Sequence, residues 1–141
     1  MSEMKFERIL CAVDFSPDSL AAFSLALKWT RSDSGTLLVF HVIEAQPTVL
    51  AEALIMINRK ANDAMARLIA SARDEVERSI SSEVTSGRAY VEIVHRAREW
   101  KAGLVVLGAR GLTSLEEVIV GGTTESVVRE APCSVLVARP A

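Results

Sequence analysis

Gly108, Gly111 and the pair Gly121-Gly122 stand in the arrangement G-A-R-G, nine residues, G-G-T-T, near the end of a 141-residue chain. The first two follow the apolar run Leu104-Val105-Val106-Leu107, and the second pair leads through Thr123 and Thr124 into a helix-like stretch. A glycine backbone can close on an oxyanion because no Cβ intervenes, and a helix start adds unpaired N–H donors and a favourable dipole. This is the chemistry of phosphate binding. Arg110 lies inside the glycine loop, where a guanidinium is suited to charge-assisted bonds with phosphate oxygens. Asp14 ends the first apolar run of the chain, Arg8 to Val13. It has the reach to hydrogen-bond a ribose hydroxyl or orient a magnesium ion, and it is equally suited to cap the helix that starts near Ser16.

These groups are far apart in sequence, so the fold must bring them together. Arg8 to Val13, Thr36 to Ile43, Leu104 to Leu107 and Ser134 to Ala138 read as strands, the first three as continuous apolar runs suited to burial on both faces. Ser82 to Ser86 reads as a short, weaker strand ended by Gly87. Ser16-Pro17-Asp18 supplies an N-cap with proline at the first helical position, and Leu20, Phe23, Ala26 and Leu27 continue at helical spacing to a break at Gly35. Between about Val49 and Ile80 an apolar stripe alternates with a charged one, which predicts a long amphipathic helix. Two more helices are predicted, one from Tyr90 to Trp100 and one after Gly122.

Five strands alternating with four helical regions imply parallel βαβ units in one α/β domain spanning 1–141, with no linker or internal repeat. In such a sheet, ligands bind beyond the carboxyl ends of the strands where the strand order reverses. A central first strand brings Asp14 beside Gly108 at that crevice, with Val42 of the second strand offering backbone groups to a base.

Composition narrows the class further. Half the residues are hydrophobic, 24% are charged, and the net charge is −2 with 16 Lys and Arg scattered along the chain. That profile fits a compact globule and supports neither nucleic-acid nor anionic-membrane binding. No stretch has the length of a membrane span or the pattern of a signal peptide, so the expected location is cytoplasmic. Cys11 and Cys133 read as reduced core thiols, His41 as a satisfied core histidine and His95 as a surface residue without a role. No zinc spacing, P-loop lysine or Ser-His-Asp arrangement is present, and no catalytic residue is nominated.

I-L-C-A-V-D-F-S from Ile9 to Ser16, L-V-F-H-V-I from Leu38 to Ile43, and V-V-L-G-A-R-G followed nine residues later by G-G-T-T-E-S-V resemble the universal stress protein family over essentially the whole chain. The resemblance implies an open five-stranded parallel sheet ordered 3-2-1-4-5 with helices on both faces, and a homodimer through the C-terminal strand. It also implies a Rossmann-like site for ATP and Mg2+. Asp14, with Ala12 on the same strand, inherits the ribose and, indirectly, the magnesium. Val42 inherits the base, and Gly108, Arg110, Gly111, Gly121, Gly122, Thr123 and Thr124 inherit the phosphates. The family pattern places Ser or Thr where this chain has Gly122. One hydroxyl donor is thereby lost, worth about 0.5–1.5 kcal/mol if neutral, although Thr123 stands one position later. Three functions are compatible with this sequence: an ATP-binding stress-response regulator, a dimeric scaffold that binds no nucleotide, and a slow magnesium-dependent ATPase.

Overall fold

A computed structural model describes residues 6–33, 35–72, 79–112 and 119–140. In chain order the elements are β1 (Arg8–Ala12), α1 (Pro17–Asp33), β2 (Thr36–Ile43), α2 (Ala51–Ser71), β3 (Ile80–Ser86), α3 (Ala89–Trp100), β4 (Leu104–Gly108), α4 (Gly122–Glu130) and β5 (Ser134–Ala138). The strands form one five-stranded parallel sheet in the order β3-β2-β1-β4-β5.

The apolar runs form the middle of this sheet because a strand flanked by strands and covered by helices has no solvent-facing side. Ile9, Cys11, Val13, Leu37, Val39, Leu104 and Val106 point to one face, where Phe23 and Ala26 of α1 and Met65 of α2 cover them. Leu10, Ala12, Leu38, Phe40, Val105 and Leu107 point to the other, beneath Ile93, Val94 and Ala97 of α3 and Val127 of α4. Alternation along each strand thus feeds two cores, one per face.

β3 begins at Ile80, which pairs with Leu37, earlier than the predicted strand start and inside the predicted long helix. The paired apolar edge of β2 recruits Ile80 into the sheet, and residues 73–78 of that predicted helix lie outside the described residues. Cys11 is fully buried and burial pushes its thiol pKa up; Cys133 is half-buried, with a smaller part in the core than the sequence suggested. Among the described residues, no helix is long and apolar enough to cross a membrane.

Candidate functional site

The chain leaves the sheet at the end of β1 through a turn that the sequence pins tightly. Val13 N–H donates to Phe40 O at 2.9 Å, and Phe15 adopts a left-handed conformation with φ 66°. For a bulky non-glycine residue that conformation is costly, so its surroundings must hold it in place. The Phe15 ring lies 4.8 Å from the His41 ring. His41 Nδ1 is 2.6 Å from Val13 O; a carbonyl only accepts, so that nitrogen carries the hydrogen. His41 is satisfied, as expected, but it is half-buried and faces the crevice.

Beyond this turn Ser16 is the N-cap of α1, its Oγ accepting from Ser19 N–H at 3.2 Å, as the Ser-Pro-Asp sequence predicts. Asp14 does more than cap. Its Oδ1 accepts from Ser16 N–H at 3.0 Å, and its Oδ2 accepts from Leu112 N–H at 2.9 Å. The carboxylate therefore ties the β1 turn to the glycine loop.

The loop after β4 owes its glycines to close approach. A Cβ on Gly108 would lie 2.7 Å from the Asp18 carbonyl carbon and from Ser19 N. Gly108 thus lets the first turn of α1 press against the end of β4, in addition to any role toward a ligand. A Cβ on Gly111 would lie 2.7 Å from Asp14 Oδ2. Arg110 is held by Asp18, whose Oδ2 accepts from the Arg110 backbone N–H at 3.1 Å and from Nε at 3.3 Å, while Oδ1 accepts from Nη2 at 3.5 Å. Asp18 is buried, its side chain only 6% exposed.

At the start of α4, Gly121 N–H donates to Ala109 O at 2.7 Å, and Ala109 N–H donates to Ala138 O at 2.8 Å. Thr124 is buried and its hydroxyl donates to Gly108 O at 2.7 Å, so that group serves the fold. Gly121 is the N-cap and supplies no side-chain cap, leaving the first amides of α4 for solvent or a ligand. Gly122 has open space around the position of a Cβ.

These segments surround a cavity of about 690 Å³ at the carboxyl ends of the strands. Ala12, Asp14, Val42, Gly108, Arg110, Gly111, Gly121, Gly122, Thr123 and Thr124 all line it. Residues that the sequence did not single out complete it: Phe15, Glu44, Ile57, Lys60, Ala89 and Ile93. Glu44 accepts a hydrogen bond from Ala89 N–H at the start of α3. The acidic residue just past β2 was a usable signal for such a cap; Lys60 and Ile57 sit on a helix whose docking the sequence did not reveal. Ile57, Ala61 and Ala64 of α2 and Ala89 and Ile93 of α3 give the lining apolar groups, and the turn after β1, the glycine loop and the start of α4 give it polar ones. A volume of this size suits a nucleotide-sized ligand.

A profile described as the universal stress protein family matches residues 5–139. The chain belongs to the universal stress protein family. A universal stress protein encoded in the QAH/OAS sulfhydrylase 3' region of Thermus aquaticus is 33% identical over 137 residues, covering 95% of this chain and 99% of the relative. Universal stress protein UspA from Lactobacillus plantarum superposes with a TM-score of 0.86 at 27% identity, over 97% of this chain and 100% of that one. The universal stress protein from Archaeoglobus fulgidus, solved in complex with dAMP, superposes with a TM-score of 0.74 at 19% identity, over 96% of this chain and 100% of that one. The five parallel strands in the order 3-2-1-4-5 are thus the family's architecture.

Proposed function

We propose that this universal stress protein binds an adenine nucleotide, ATP with magnesium, and acts as a homodimeric stress-response regulator whose occupied and empty states differ. The observation that carries the reading is one cavity lined both by Asp14 and by the open start of α4, with the apolar side chains of Ile57 and Ile93 in the same lining. In this reading Val42 presents backbone groups to the base, with Ala12 below. The carboxylate of Asp14 receives ribose hydroxyls, and the amides of Gly122 and Thr123 receive phosphate oxygens, favoured by the helix dipole. The dAMP complex of the Archaeoglobus fulgidus relative lends further support, because the same architecture there holds an adenine nucleotide.

Magnesium bound with ATP supplies charge neutralisation to the phosphates. Among the described residues, no three His, Cys, Asp or Glu side chains converge on a common point. Both Asp14 oxygens already accept backbone hydrogens. The ion fits as a companion of the phosphates, with Asp14 as an outer partner. For the dimer, support comes from β5, which pairs with β4 on one side only and exposes Val137.

Calorimetry with ATP and magnesium tests the reading. Heat of binding is expected, with Asp14→Ala weakening affinity about tenfold or more through loss of a charged acceptor. Absence of heat and of any thermal shift would leave the scaffold function. Light scattering at micromolar concentration is expected to give twice the chain mass; a monomer would refute the dimer.

A further inference from the structure

Among the described residues, Arg110 is the arginine that lines the cavity, and its charge is already opposed. Arg110 lies in the glycine loop, where a guanidinium would add attraction with each further phosphate on a ligand. Asp18 instead receives its backbone N–H, its Nε and its Nη2 at 3.1, 3.3 and 3.5 Å. Because Asp18 is buried, drawing the guanidinium away toward a phosphate would leave its carboxylate without a countercharge, held by the Arg110 backbone N–H alone among the contacts above, which is unfavourable. The position of Asp18 is itself fixed, since Gly108 packs against its carbonyl carbon and its Cβ.

Among the described residues, the hydroxyls at this end of the cavity do not replace that charge. The Thr124 hydroxyl is committed to Gly108 O, and Gly122 has none to offer. Lys60 is the second cation lining the cavity among the described residues, but it comes from α2, which packs on β2 and β3, away from β4. Two acids, Asp14 and Glu44, line the same cavity.

The geometry points to Asp18 as a positioning residue that sets phosphate selectivity: by holding Arg110 it removes the charge that would reward a longer phosphate chain, so that without magnesium the protein takes adenine nucleotides with no preference for ATP over AMP. This rests on the adenine-nucleotide reading above. Asp18 acts through Arg110, fixing the loop by the backbone contact and offsetting the guanidinium by the side-chain contacts.

The test is calorimetry with AMP and ATP in magnesium-free buffer, where the protein alone answers the phosphate charge. The unaltered protein is expected to bind AMP at least as tightly as ATP. Asp18→Asn keeps the size and one acceptor but removes the charge, and should shift the affinity ratio toward ATP by about tenfold. Adding Arg110→Gln to Asp18→Asn should abolish that shift, whereas a purely structural role for Asp18 would weaken both ligands equally. The inference is overturned if the unaltered protein prefers ATP by about tenfold, or if the ratio in Asp18→Asn does not move. Should Asp18→Asn fail to fold, Arg110→Gln alone decides. An unchanged ratio supports the inference, and a selective loss of ATP binding overturns it. If neither nucleotide binds the unaltered protein, the adenine-nucleotide reading fails first and this inference falls with it.

Discussion

Where β1 and β4 border the cavity, Asp14, Arg110 and Thr124 all have partners inside the protein. Asp14 spans the β1 turn and the glycine loop, Asp18 holds Arg110, and the Thr124 hydroxyl is bound to Gly108 O. Across the cavity, the first ten residues of α2 are exposed apart from Leu54, which is half-buried, and Ile55 and Met56 are exposed apolar side chains. Burial on α2 begins only at Ala61 and Met65. One wall is fixed by internal bonds, while the other has few packed contacts and can rearrange at lower cost.

The same contrast separates two glycines of the ordered wall, and mutation can sharpen it. Gly108→Ala must push backbone atoms of α1 that sit 2.7 Å from the new carbon. A stability loss of about 1–3 kcal/mol is expected by denaturant titration, with loss of nucleotide binding; an unchanged midpoint would show that the two elements are less tightly joined than described. Gly122→Ser meets open space and returns the hydroxyl that the family pattern carries. It should strengthen ATP binding by up to about tenfold with stability altered by less than about 0.5 kcal/mol. Weaker binding by calorimetry would mean that the start of α4 does not face the phosphates.

The smallest effect is expected far from the cavity, at the half-exposed pair of Glu83 on β3 and Arg96 on α3, joined at 2.6 and 2.8 Å. The hydrogen bond from Arg96 holds the Glu83 carboxyl below its ordinary pKa of 4.5. A depressed carboxylate stabilises the fold above its unfolded value and loses that contribution as pH falls through the folded one. Glu83→Gln should therefore cost less than about 1 kcal/mol at neutral pH, and the difference from the unaltered protein should fade below pH 4.5. A difference that persists in acid would assign the effect to packing.

Much of this was legible in the chain. The apolar runs of β1, β2 and β4 left little choice but buried strands, and Ser16-Pro17 marked the start of α1 by local chemistry alone. The glycine spacing pointed to the carboxyl end of the sheet, and each residue assigned to the nucleotide lines the cavity there. Other features were hidden because they depend on tertiary contact. Asp18 and Arg110 are 92 positions apart, and nothing local to either announces the pair. The first turn of α1 supplies the reason for a glycine at 108, and pattern alone cannot separate that from ligand binding. Ile80 belongs equally to a helical stripe and to a strand until β2 is beside it.

The strand order also dictates a sequence of events during synthesis. β1, β2 and β3 emerge first and can pair as a contiguous half-sheet, but the other side of β1 waits for β4, whose first residue is Leu104. At about 5–20 residues per second that partner leaves the ribosome several seconds after β1. Throughout that interval the central strand presents an open hydrogen-bonding edge, and the seam on which the ligand would rest does not yet exist. Until then α1, which packs on β1 and β2, is the element at hand to cover the half-sheet.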